Sequence, residues 1–461
     1  MRVLQRVAAV ALLSLGAALP ARAESLADTM VAAYRHSALI EQNRAVLRAA
    51  DEDVAASVAA LRPVVEWVAR QSASRAEGST TARSTSLSIG ALVTLYDFGR
   101  GQLAIDGAKE QVLATRQALV SVEQDVLLAA AIAYFDVREA IQQVGLQQNS
   151  VEVLTSERQA AQDRFDVGEI TVTDVALADA QLAATRAALA AANGQLEVAR
   201  EVYLAVTGRQ PGTLAAPPPL PSLPATMDEA RAIAQRSHPA IGQAQRQAAA
   251  SELAVASAAA ERNPTLSGTA SVGVTRSPQS DLGGGYGSRN SSSVGLELSQ
   301  TLYSGGRLSA GHRRSMAQRD QARAGLLNTS RQVSQQVGET WANIAVARAQ
   351  ITAITQQISA AQQAYDGVRE EAQLGARTTL DVLDAEQALL QARADRITAE
   401  SNLQLAHYQL LAAMGLLTVE NLQLGIPTYD PSQYYNAVRN APATSRQGES
   451  LDRVLRAIGR N

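Results

Sequence analysis

The spacing of apolar and polar residues changes period in the same order twice along the chain. Leu87, Ile89, Ala91, Val93 and Leu95 alternate with the small polar positions Ser86, Ser88, Gly90 and Thr94. That period of two predicts a strand with one apolar face. Leu266, Gly268, Ala270, Val272 and Val274 alternate with Ser267, Thr269, Ser271 and Gly273 in the same way. Val294, Leu296 and Leu298 then sit between Ser293, Gly295, Glu297 and Ser299. After each strand pair the pattern becomes helical, and nothing breaks it strongly from Gly99 to about Phe165 or from Gly306 to about Gln373. Asp97 and Ser304 suit the N-caps of these helices. A helix of some 65 residues extends about 100 Å, far beyond a single globular core. Each is followed by a second helix with a seam of sevens: Val175, Leu182, Leu189, Leu196 and Tyr203, then Val382, Leu389, Arg396, Leu403 and Leu410. A seven-residue period implies left-handed supercoiling, so each long helix and its return helix are expected to form an antiparallel hairpin.

The pattern recurs because the chain is a duplicate. Leu95-Tyr96-Asp97-Phe98-Gly99-Arg100 returns as Leu302-Tyr303-Ser304-Gly305-Gly306-Arg307, an offset of 207. The same offset pairs Val167-Gly168 with Leu374-Gly375, Thr171-x-x-Asp174-Val175 with Thr378-x-x-Asp381-Val382, and Thr207-Gly208 with Met414-Gly415. Upstream the offset is 201, pairing Arg62-Pro63 with Asn263-Pro264, so the second copy carries six extra residues around Asp281–Gly287. Insertions of this kind are tolerated at loop tips. Six prolines between 211 and 224 mark a linker. The expected organisation is a signal peptide over 1–23, a first repeat over 24–208 (helix, hairpin, long helix, return helix), a proline-rich linker over 209–225, a second repeat over 226–425, and a polar C-terminal segment over 426–461, loosely ordered from about 440.

Composition narrows the classes. The 461 residues include no cysteine and only 2 Trp, 11 Tyr and 3 Phe, while 46% are apolar, much of that alanine. Few aromatics and much alanine favour long helices packed closely side by side. A net charge of −3 argues against nucleic acid. The absence of cysteine removes disulfides and thiol chemistry, and His36, His238, His312 and His407 lie too far apart for a compact metal motif. Arg2 and Arg6, the apolar run Val7–Leu19 and Ala21-Arg22-Ala23 read as a secretory signal. No later segment reads as a membrane-spanning helix, so entry into a membrane would be by strands. Four strands of about ten residues match a bilayer when tilted, and small-polar-in, apolar-out alternation suits a transmembrane barrel. Four strands cannot close, so at least two chains must contribute, and three would give twelve. On the strands alone, a small antiparallel sheet with one solvated face explains the alternation equally well.

The double copy, the Leu-Tyr-x-x-Gly-Arg motifs, Arg164-Phe165-Asp166-Val167-Gly168-Glu169-Ile170-Thr171-Val172-Thr173-Asp174-Val175 and Leu374-Gly375-Ala376-Arg377-Thr378-Thr379-Leu380-Asp381-Val382-Leu383-Asp384-Ala385 resemble the TolC family of outer-membrane exit ducts. The resemblance covers about residues 24–425. It implies a mainly helical fold with a membrane β part: a long α-helical coiled-coil barrel and a transmembrane β-barrel closed by a homotrimer. It implies residence in the outer membrane of a Gram-negative cell with a periplasmic helical extension. The implied partners are a periplasmic adaptor (membrane fusion protein), an inner-membrane pump of RND or ABC type, and outer-membrane lipid against Leu87, Ile89, Val93, Leu95, Leu266, Val272, Val274, Val294, Leu296 and Leu298.

In such a duct the chemistry is electrostatic gating. Asp381 and Asp384, three apart, share a helix face, and three-fold symmetry would make six carboxylates around an axis, a ring that favours cations. The resemblance supports an aperture; without it, a solvated helix face is the plainer explanation. Arg377 is placed to pair with Asp381 or with Asp174 on the neighbouring hairpin. Val167, Gly168, Glu169, Leu374, Gly375 and Ala376 form the periplasmic turns, where glycine serves the chain reversal and the exposed apolar residues suit docking to adaptor helices. Ala372 and Glu169 depart from the family pattern, which often has an aromatic and an apolar residue there. The run Gly283–Gly287 lacks a phosphate-loop pattern. No catalytic constellation, cofactor site or metal site is expected, so the reading is a channel for efflux or type I secretion and not an enzyme. The alternatives are a periplasmic coiled-coil adaptor, which would carry one hairpin within a β-rich domain, and an elongated secreted coiled-coil protein.

Overall fold

A computed structural model describes residues 23–75, 77, 81–278 and 285–442. The assigned signal peptide (all but its last residue), most of the glycine-rich insertion and the tail beyond 442 lie outside the described residues. Each copy expected to begin with one helix begins with two: α1 (Leu26–His36) and α2 (Ala38–Ala59), then α5 (Met227–Ser237) and α6 (Pro239–Ala260). The breaks fall at equivalent positions, Ser37 and His238, both extended. At His238 the cause is the following Pro239, whose ring disfavours helical backbone in the residue before it.

The hairpins β1 (Val64–Ser74) with β2 (Ala82–Tyr96) and β3 (Thr265–Pro278) with β4 (Tyr286–Ser299) join into one antiparallel sheet in the order β1-β2-β3-β4. The long helices are α3 (Arg100–Asp166) and α7 (Arg307–Gln373), 67 residues each. Their return helices are α4 (Val172–Thr207) and α8 (Thr379–Ala413), and a short α9 (Pro431–Val438) follows. Asp97 caps α3 as expected, its carboxylate accepting the Gly99 and Gly101 amides at 3.1 and 2.6 Å. The Ser304 hydroxyl accepts the Leu308 amide at 3.3 Å.

The described residues fall into two compact units. One holds the chain up to Glu41, Val120–His238 and Gln332–Thr428; the other holds Gln42–Leu119, Pro239–Arg331 and the chain from Tyr429. In the first, the seam of sevens is the packing seam. Leu196, Ala199 and Tyr203 of α4 bury against Ala133, Val137, Ala140 and Val144 of α3. Val382 and Leu389 of α8 bury against Tyr365 and Ala372 of α7. The alanines let helix backbones approach closely, which explains how so few aromatics suffice. Arg396, the one polar member of the seam, is exposed and paired with Glu400 at 2.7 Å. The start of the chain is tied in as well: the Tyr203 hydroxyl donates to Glu24 at 2.6 Å, and Arg209 pairs with the same carboxylate. In the second unit, α9 packs its Tyr435 with Leu47, Val54 and Val112.

One expectation is corrected. Helix α3 contains an 18-residue stretch apolar and long enough, by composition, to cross a membrane. Ala130, Ala131, Ala133, Tyr134 and Phe135 of this helix are buried inside the protein, so α3 is apolar on several sides because helices pack around it.

Candidate functional site

The two hairpin turns are built alike. Helix α3 stops where Gly168 takes a left-handed backbone (φ 82°) and α7 where Gly375 does (φ 78°). The Glu169 amide reaches back to the Arg164 carbonyl and the Ala376 amide to that of Glu371, both at 2.9 Å. These reversed bonds satisfy carbonyls the helix end leaves open. Two residues later Thr171 and Thr378 start the return helices. The turn is thus written locally, as a glycine stop followed by a threonine start. Val167 and Leu374 stand out from it, 72% and 86% exposed.

Asp174 and Asp381 occupy the third position of their helices and close on the capping threonine. Asp174 accepts the Thr171 amide and hydroxyl at 3.0 and 2.7 Å. Asp381 accepts those of Thr378 at 2.9 and 2.8 Å. Hydrogen bonds to the ionised form hold both carboxyls below their ordinary range; for Asp381 the Thr378 amide and hydroxyl lead, with Arg377 adding less. Asp384 lies exposed one turn on. Arg377 pairs with neither aspartate: its Nε donates to Glu371 at 2.8 Å, while Arg164 pairs with Glu169 at 3.3 Å in the other turn. Each arginine braces its own turn because the acid across the glycine lies closest.

Three contacts between the hairpins escaped the sequence reading. Leu383 of α8 packs with Leu154 of α3 and Leu182 of α4. Arg369 of α7 pairs with Glu157 of α3 at 3.0 Å, and the Tyr365 hydroxyl points to the same carboxylate at 3.5 Å. The Ser150 hydroxyl donates to Glu386 at 2.9 Å. Glu386 is 6% exposed, and desolvation raises its carboxyl above the usual range. Ala372, where the family often has an aromatic, is buried against Val382 and Leu389; an aromatic bridge comes instead from Tyr365, two turns earlier. Among the described residues no cluster of three His, Cys, Asp or Glu side chains could hold a metal ion.

The sheet carries the second surface. Register places Trp67, Ile89 and Val272 in one row and Val65, Ala91, Ala270 and Val294 in the next. Leu87 and Val274 pair on the same face, as do Val93 with Gly268 and Leu296, and Leu266 with Leu298. The exposed members include Trp67 and Val294, at 71% and 89%. The opposite face is mostly polar, with Ser72 and Ser84 bonded at 2.9 Å and Ser271 and Ser293 at 2.8 Å, though Val64, Val68 and Leu92 also lie on it. Strand β1, whose Val65 and Trp67 had not been assigned to the apolar face, completes it. The strands run 11 to 15 residues, longer than expected, since their hairpin ends (Arg70–Ser74 and Ala82–Ser86) extend past the apolar band.

The profile of the family described as outer membrane efflux protein matches residues 31–209 and 231–416, one segment per repeat. The chain belongs to that family. It is 34% identical to the outer membrane efflux protein BepC of Brucella suis biovar 1 over 440 residues, covering 94% of this chain and 95% of BepC. To the outer membrane protein TolC of Escherichia coli K12 it is 27% identical, over 72% and 69% of the two chains. A solved structure of CusC superposes with a TM-score of 0.75 at 19% identity, covering 86% of this chain and 92% of that one. The fold is therefore that of the family's channels, and the protein is an outer-membrane export channel of a Gram-negative cell. The family is made of channels and not enzymes.

Proposed function

We propose that three copies close one twelve-stranded β-barrel in the outer membrane and that the helical hairpins form a periplasmic duct closed at its turns by Asp381 and Asp384. The sheet supports this most directly. It has an apolar face exposed in the monomer, a mostly polar face, and two open edges, β1 and β4. Open edges are not tolerated in lipid, and four strands are too few to close alone. Joining β1 of one copy to β4 of the next removes every edge. The polar face then lines the lumen, while Leu87, Ile89, Val93, Leu95, Leu266, Val272, Val274, Val294, Leu296 and Leu298 meet lipid.

At the other end Asp381 and Asp384, repeated three times, form a carboxylate ring that passes cations and restrains anions. The turn braces, the Arg369–Glu157 pair and the Leu154–Leu182–Leu383 contact hold the hairpins in the closed arrangement. Exposed pairs are worth about 0–1 kcal/mol each, so the arrangement yields to a docking partner. Val167, Gly168, Glu169, Leu374, Gly375 and Ala376 offer that partner, a periplasmic adaptor, two apolar side chains on rigid turns. An inner-membrane pump of RND or ABC type delivers the cargo, small molecules or polypeptide. The adaptor reading of this chain is not favoured, since it carries two complete hairpins and a sheet suited to lipid.

Native mass spectrometry of the oligomer extracted from outer membranes tests the assembly. Three chains are expected; a stable monomer or dimer extracted from that membrane would overturn it.

A further inference from the structure

Helices α3, α7 and α8 enclose a cleft of about 400 Å³. Leu146, Val153 and Leu389 give it apolar walls, and three carboxylates (Glu157, Asp366, Glu386) face it against two guanidinium groups (Arg369, Arg393), an excess of one negative charge. The charges are not equally engaged. Glu157 is paired with Arg369 at 3.0 Å, with the Tyr365 hydroxyl at 3.5 Å. Asp366 accepts the Gln362 side-chain amide at 3.0 Å, and Arg393 donates to the Gln362 carbonyl oxygen at 2.6 Å. Glu386 differs: 6% exposed, it accepts the Ser150 hydroxyl at Oε1, while its buried Oε2 has no hydrogen-bond partner among the described residues. A buried carboxylate oxygen left without a donor is destabilising, and an entering N–H group would relieve it with a charge-assisted bond.

We infer that this cleft is a binding site for a small organic monocation, a primary ammonium or guanidinium group on a compact apolar body, with Glu386 Oε2 as its acceptor. The single excess charge matches one cation and disfavours an anion. A divalent metal is a poor fit, because no three metal-ligating side chains converge among the described residues. The apolar walls select a body with hydrocarbon over a bare ion. This site is separate from the Asp381 and Asp384 aperture, and all its lining residues come from one chain.

The pH dependence separates the two sites. Desolvation raises Glu386 most; the Ser150 hydroxyl opposes it, Glu157 adds to it, and Arg393 opposes it. Asp366, Arg369 and Tyr365 face it from α7. Cation binding needs the ionised form, so affinity is lost as pH falls through this raised range, while Asp381, shifted the other way, stays charged.

The test is calorimetric titration of phenethylamine, with 2-phenylethanol as its uncharged match, into the full-length oligomer in detergent. Phenethylamine is expected to bind once per chain and the alcohol at least ~10-fold more weakly, the loss of one charge-assisted bond. Glu386→Gln should weaken the amine by a similar factor. Leu390→Trp, which fills the cleft and keeps Glu386, should do the same, so the result does not hang on one variant. Asp381→Asn/Asp384→Asn should bind as wild type does. Equal affinity in wild type, Glu386→Gln and Leu390→Trp would overturn the site. So would loss only in the Asp381/Asp384 variant, or a crystal soaked with the amine that shows only water at Oε2.

Discussion

Asp381 has two roles that can be separated experimentally. Locally it closes the N-cap of α8 with Thr378; in the proposed assembly it faces the aperture. The first role tunes the second, because the Thr378 amide and hydroxyl hold its carboxyl ionised to lower pH. A depressed carboxyl keeps its charge above its lowered folded value and loses it only as pH falls through that value. Thr378→Val removes the hydroxyl, so the variant should lose cation preference at a higher pH than wild type. Reversal potentials across a salt gradient, measured as pH is lowered, would show this; coincident curves would mean the cap does not tune the aperture. The turn acids were legible in the sequence because threonine, glycine and aspartate sit at fixed spacing in both copies. Glu157 and Glu386 were not, since their partners Arg369 and Ser150 lie more than two hundred residues away and no periodicity links them. The Arg377 partner was misread for a related reason: spacing offered Asp381, but the backbone reversal at Gly375 brings Glu371 to its guanidinium.

At the scale of elements, the helices were readable from their unbroken helical pattern and the seam of sevens, and the buried residues follow that seam. The broken first helix of each copy was not readable at Ser37, where nothing in the local sequence forbids a helix. The return helices end at Gly208 and just before Gly415, with φ of 76° and 77°. A Cβ at Gly208 would lie 2.5 Å from the His36 ring, and one at Gly415 2.7 Å from the His238 backbone. The second obstruction is backbone and cannot swing away. Gly415→Ala should therefore destabilise by more than Gly208→Ala, and by more than the ~1 kcal/mol of the left-handed backbone alone. Thermal unfolding of the two purified variants checks the order; equal midpoints would show that the His238 contact relaxes freely. Loss of the Arg369–Glu157 bridge in Glu157→Gln should loosen the closed hairpins, raising single-channel conductance without changing the melting temperature by more than a few degrees. An unchanged conductance would assign the bridge to packing alone.

At the scale of the molecule, the alternation in three strands was legible, but whether its apolar face met lipid or a solvated sheet was not. Register adds that rows such as Trp67–Ile89–Val272 continue the face across strands, and membership of an outer-membrane family supports the proposed lipid contact. Val294→Lys on that face should impair outer-membrane assembly, at a cost of about 2–4 kcal/mol near the bilayer centre. Ser271→Lys on the opposite face should assemble and alter ion selectivity instead. Heat-resistant oligomer in outer-membrane fractions distinguishes them, and equal yields would reverse or abolish the assigned sides. Asp381 and Asp384 are proposed to set the aperture of the channel, and planar-bilayer recording of the extracted oligomer is the decisive experiment. Wild type should pass small, cation-preferring currents, and Asp381→Asn/Asp384→Asn should lose most of that preference. Channels with identical selectivity in the two proteins would contradict the aspartate aperture.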